Sequence, residues 1–144
     1  MWGPLVHGNA TSKGIVLCVD TFQGDVNMRL GARFKKFMRY EHGNPRLVDV
    51  FMSTIVDSHM QDVIYPLAMP SIVAARLLSL FHWKVDVIYI DSAHEKGETL
   101  VELILYYQLL RPGGLLMGDD FRLFPAVAED VAQFAAMKGL KVIM

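Results

Sequence analysis

The chain has 144 residues, 53% hydrophobic and 20% charged, with a net charge of −1. That length suits one modest domain, the apolar content excludes a disordered chain, and the near-neutral charge offers nothing to nucleic acid or an anionic membrane. No apolar run approaches the ~20 residues of a spanning helix, no secretory signal opens the chain, and the one cysteine, Cys18, cannot staple it. A cytoplasmic protein without disulfides is expected, with Cys18 as a small core residue.

Residues 1–14 include Gly3, Pro4, Gly8, Asn9 and Gly14, the composition of a loop or disordered remnant, so the folded domain is expected over 15–144. Ile15 to Val19 is a short apolar run closed by Asp20, as in a buried parallel strand. From Met28 a helical stripe of Leu30, Phe34, Phe37 and Met38 runs towards a stop at Gly43. Asn44-Pro45 predicts an N-cap and first-turn proline for a second helix containing Leu47, Val48, Phe51 and Ile55. Val63 to Ala68 is a strand whose Pro66 places it at a sheet edge.

Ser71 to Phe81 predicts a helix capped by Ser71, and Val85 to Ile90 a second buried strand. Glu98 to Leu110 predicts a helix ended by Arg111-Pro112-Gly113-Gly114, followed by a strand over Leu115 to Gly118. A helix from Pro125 to Lys138, a turn at Gly139 and a last strand from Leu140 to Met144 complete the pattern. The alternation makes the class α/β with a mostly parallel sheet and flanking helices. Phe34, Phe37, Phe51, Phe81 and Phe134 fall at core spacing, and the stripe Glu98, Glu102, Tyr106 fits a solvated face.

Chemistry is expected where strands end, because open α/β sheets bind ligands outside the carboxyl ends of their strands. Asp91 closes one strand, and Asp119 with Asp120 closes the next. Three carboxylates converging there repel unless a cation compensates them, and a hard divalent ion such as Mg2+ takes oxygen ligands of this kind. The alternatives are a helix cap for Asp91 and a solvated turn for the doublet. His94, three residues past Asp91, is placed to act as a general base, or is an exposed loop histidine. His7, His42, His59 and His82 lack that setting and read as surface groups. Asp20 suits a ribose diol, or a turn in Asp20-Thr21-Phe22-Gln23-Gly24-Asp25. No phosphate-binding glycine loop and no zinc-type Cys/His spacing occurs.

Three segments in order, Ile90-Asp91-Ser92-Ala93-His94, Leu110-Arg111-Pro112-Gly113-Gly114 and Gly118-Asp119-Asp120, resemble the class I S-adenosylmethionine-dependent methyltransferases. The nearest branch is the small-molecule O-methyltransferases of macrocin, cephalosporin-hydroxylase-like and catechol type, and Val19 to Asp25 resembles a second motif of the macrocin type. The resemblance implies a Rossmann-like fold, S-adenosylmethionine and Mg2+ as cofactors, and a small-molecule hydroxyl acceptor, with no nucleic acid or membrane partner and homo-oligomerisation possible for such a fold. It implies metal ligation by Asp91, Asp119 and Asp120, cofactor binding by Asp20, Ser71 and Ser92, and catalysis by His94, the Mg2+ lowering the acceptor's pKa. The family's first strand and its Gly-rich turn find no match before Ile15, so an incomplete domain over 15–144 is expected, binding S-adenosylmethionine weakly or not at all. A non-catalytic remnant or interaction module that retains the fold is the alternative function.

Overall fold

The computed structural model describes residues 14–92 and 94–144. The expectations for residues 1–13, His7 among them, lie outside the described residues. The chain divides into two compact units, one ending at Ala68 and the other spanning Met69–Met144. Both are built of parallel strands and helices, the α/β, Rossmann-like class expected.

The first unit runs β1 (Val16–Asp20), α1 (Val26–Leu30), α2 (Ala32–Met38), α3 (Leu47–Asp57) and β2 (Ile64–Ala68). β1 and β2 pair in parallel, with Val16 opposite Ile64 and Asp20 opposite Ala68. Pro66 stands opposite Cys18, and β1 is the only strand that pairs with β2 among the described residues, as the missing proline N–H requires. The core includes Phe22, Met38 and Ile55, and Phe22 meets Phe51 at a ring distance of 5.1 Å. Cys18 is half-buried rather than fully enclosed, and burial pushes its thiol up, away from the reactive thiolate.

Two expectations fail here for local reasons. The single helix towards Gly43 is two short ones, because Gly31 takes an extended conformation (φ −72°, ψ 118°) between them. Asn44 does not cap α3. Its N–H and C=O pair with those of Glu41, both at 2.9 Å, and His42 (φ 49°) and Gly43 (φ 80°) form the tight turn between. Helix α3 therefore starts only at Leu47.

The second unit runs α4 (Ser71–Leu80), β3 (Val85–Ile90), α5 (Glu98–Tyr107), β4 (Leu110–Gly118) and α6 (Pro125–Lys138). β3 and β4 are parallel neighbours, with Val87 opposite Leu115 and Ile90 opposite Gly118. β4 begins earlier than expected. Leu110 already pairs with Val85, and a register shift absorbs Arg111 to Gly114, with Arg111 ion-paired to Asp86 at 2.7 Å. α5 packs against both strands and against α4 and α6, over a core that includes Ala74, Leu78, Ile88, Leu103 and Phe134. Pro125 opens α6 as expected, and Gly139 (φ 64°) closes it.

Ser71 does not cap α4; Pro70 holds that position and the serine hydroxyl is used elsewhere. Residues 140–144 form no strand. β3 is covered on one face only. Ile88 is buried, but Val87, Tyr89, Leu115 and Met117, adjacent on the other face, are 41–56% exposed. Phe37 and Phe81 are also exposed rather than core residues. No helix among the described residues is long and apolar enough to cross a membrane.

Candidate active site at the ends of β3 and β4

Two parallel strands in register deliver their next residues to one place. The Asp119 N–H donates to Ile90 O at 3.0 Å, extending the ladder past Gly118. A Cβ on Gly118 would stand 2.9 Å from Ile90 O, so only glycine lets β4 lie this close to β3. Asp120 then turns the chain in the left-handed region, φ 62°, and its carbonyl accepts the N–H groups of Leu123 and Phe124, both at 3.0 Å. Aspartate is among the few non-glycine residues that enter this region readily.

That turn aims the Asp120 side chain at the segment leaving β3. Its Oδ2 lies 2.7 Å from His94 Nε2, and the imidazole stacks on Phe124, centroids 3.9 Å apart and planes 6° from parallel. One ligand atom from each of Asp91, His94 and Asp120 lies within 4.8 Å of the other two. Two of the three expected metal ligands, Asp91 and Asp120, thus meet, and His94 joins them. Asp119 faces differently: its carboxylate accepts the Tyr89 hydroxyl at 3.0 Å and the Asp120 N–H at 2.8 Å.

The charges show the strain of this convergence. The Asp91 carboxyl is raised above its ordinary range, first by desolvation, then by the Asp120 and Asp119 charges, while His94 pulls it back. Asp119 is lowered by the Asp120 N–H and the Tyr89 hydroxyl. The Tyr89 phenol is raised, chiefly by its bond to Asp119.

A second polar group lies behind the first. Glu102 is buried, and its two carboxylate oxygens accept the hydroxyls of Ser71 and Ser92. Tyr106 donates to Ser71 O at 2.9 Å, and burial, then Glu102, pushes its phenol up to about 12. The stripe expected to be solvated is therefore partly internal, and it joins the two serines expected at the cofactor. Asp130, 2% exposed, accepts the N–H groups of Gly97 (2.8 Å) and Leu100 (3.0 Å), capping α5 from α6. Sequence reasoning missed both acids. The available signal was an acid at a helical position flanked by apolar residues, Val101-Glu102-Leu103.

Asp20, in the first unit, is exposed at the end of β1, where its Oδ1 accepts the Phe22 N–H at 2.6 Å. It forms the turn, the other of its two expected roles. In the second unit a cleft of about 1140 Å3 is lined by β4, α6 and residues 140–144, and Asp91, Ser92, His94, Asp119 and Asp120 all reach it. A family model described as a methyltransferase domain matches residues 1–121, most of the chain, with Asp91, His94, Asp119 and Asp120 inside the match. No curated protein matches the chain.

Proposed function

The chain belongs to the methyltransferase-domain family, and from that we propose a metal-dependent O-methyltransferase that uses S-adenosylmethionine on the hydroxyl of a small molecule. The observation that carries this reading is the meeting of Asp91, His94 and Asp120 within 4.8 Å at the tips of adjacent parallel strands. The donor set fits a divalent cation: two carboxylates answer its charge, and Asp91, raised first by desolvation and then by the Asp120 and Asp119 charges, is a carboxyl that a cation would keep ionised. Asp91 and Asp120 would hold the ion, and Asp119 is the remaining carboxylate candidate, at the loss of its bond from Tyr89. When bound, such an ion lowers the pKa of a hydroxyl beside it.

The protein's own part is to place and deprotonate the acceptor. With Nε2 donating to Asp120, the His94 ring keeps its basic lone pair on Nδ1, and Phe124 fixes the ring plane. His94 is the catalytic base, placed to take the hydroxyl proton; S-adenosylmethionine, when bound, would supply the methyl group, with its neutral thioether as the leaving group. Ser71 and Ser92 take the adenine side of the cofactor. Methyl transfer to a panel of catechols and sugar hydroxyls, with and without Mg2+, tests the reading. Turnover should need the ion and fall about 10²–10⁴-fold in His94→Gln. Undiminished turnover with a chelator present would sink the metal role.

The second reading, an interaction module that retains the fold, is favoured by the uncovered apolar face of Val87, Tyr89, Leu115 and Met117.

A further inference from the structure

We infer that Glu102 is a positioning and specificity residue: it fixes Ser71 and Ser92 as hydrogen-bond acceptors and so selects an amino-bearing purine over its 6-oxo counterpart. The inference rests on the methyltransferase reading, in which these serines lie on the adenine side, with Ser92 the one that lines the cleft, and it adds the chemical polarity of that subsite.

Each serine hydroxyl has one proton and two lone pairs. In both serines the proton is already committed, Ser71 to Glu102 Oε1 and Ser92 to Glu102 Oε2. What remains on each oxygen is lone pairs. A ligand N–H satisfies them, and a ligand carbonyl meets them lone pair to lone pair. The carboxylate that sets this polarity is 8% exposed, so water competes little for it. Tyr106 holds Ser71 from its backbone side without supplying another proton to the hydroxyl. Ser92 lines the open cleft, where a ligand can reach it. Adenine carries an amino group at the position where hypoxanthine carries an oxo group, which makes the pair a direct probe of the polarity.

The experiment is an NMR titration of the full chain with S-adenosylhomocysteine and with S-inosylhomocysteine, sensitive to millimolar binding. The wild type should prefer the adenosyl compound about tenfold or more. In Glu102→Gln the side-chain amide must donate to one serine, which frees that hydroxyl proton for the ligand. The preference should collapse or reverse, a change in ratio that general loosening does not produce. Equal affinities in the wild type, or a wild-type ratio in Glu102→Ala, which frees both hydroxyl protons, overturn the inference alone. Binding of neither compound by the wild type overturns it together with the cofactor reading. If Glu102→Gln does not fold, Ser92→Ala and Ser92→Thr decide: Ala should lose preference that Thr keeps, and equal ratios in the two overturn the inference.

Discussion

Asp120 does two jobs that different substitutions separate. Its backbone occupies the left-handed region at φ 62°, and its carboxylate meets His94 and Asp91. Asparagine tolerates that backbone but carries no charge. Asp120→Asn should therefore fold nearly as well as the wild type yet lose the rise in melting temperature on adding Mg2+. Asp120→Ala should lose that response and about 1 kcal/mol of stability besides. Asp91 gives a pH signature. A carboxyl raised in the folded state costs stability once it ionises, from its unfolded value upward. In chelator, Asp91→Asn should gain on the wild type as pH rises through and above the ordinary carboxylate range. The lowered Asp119 carboxyl has the opposite sign, adding stability above its ordinary value that is lost as pH falls. Asp119→Asn should accordingly give its largest deficit near neutrality, and both effects should be small because the groups face water. At this scale the strand-end acids and His94 were legible from position alone. Glu102 was not, because a helical period says which residues share a stripe and not whether another helix covers it.

Between elements, α5 is held by two contacts of very different weight. Asp130 is buried and takes two N–H groups from the start of α5, which have no other partner within the helix. Asp130→Ala should cost about 1–3 kcal/mol in chemical denaturation. Lys96 pairs with Glu129 at 2.7 Å, but both side chains are mostly in water. Lys96→Ala should leave stability nearly unchanged; a larger loss than for Asp130→Ala would reverse the ranking. The strand and helix types followed from apolar runs and turn residues. Their ends did not always follow: Asn44 looked like a cap and became half of a turn, and Leu110 looked like the end of a helix and became the start of a strand.

Across the whole molecule, the uncovered sheet face is the largest departure from expectation. Val85 to Ile90 is apolar enough to be buried on both faces, yet Val87 and Tyr89 are more than half exposed, beside Leu115 and Met117. Charge on that face removes little packing, since Val87 and Leu115 are each about half exposed. Val87→Lys and Leu115→Lys should leave the melting temperature nearly unchanged and lower any concentration-dependent self-association seen by analytical ultracentrifugation. A large loss of stability in either would show that the face is covered in solution.

The sequence alone determined the class, through the alternation of apolar runs with helical stripes, and it placed Asp91, Asp119, Asp120 and His94 where parallel strands end. Those are local properties, set by period and by the chain's need to leave a strand with a turn. Only the tertiary structure decided which of them meet. The register of Ile90 against Gly118 and the left-handed turn at Asp120 bring His94 to Asp120 and leave Asp119 with Tyr89. It also decided that Glu102 joins Ser71 to Ser92, residues 31 and 10 positions away. Contacts at such separations depend on how α4 and β3 pack around α5, and no local pattern encodes that packing.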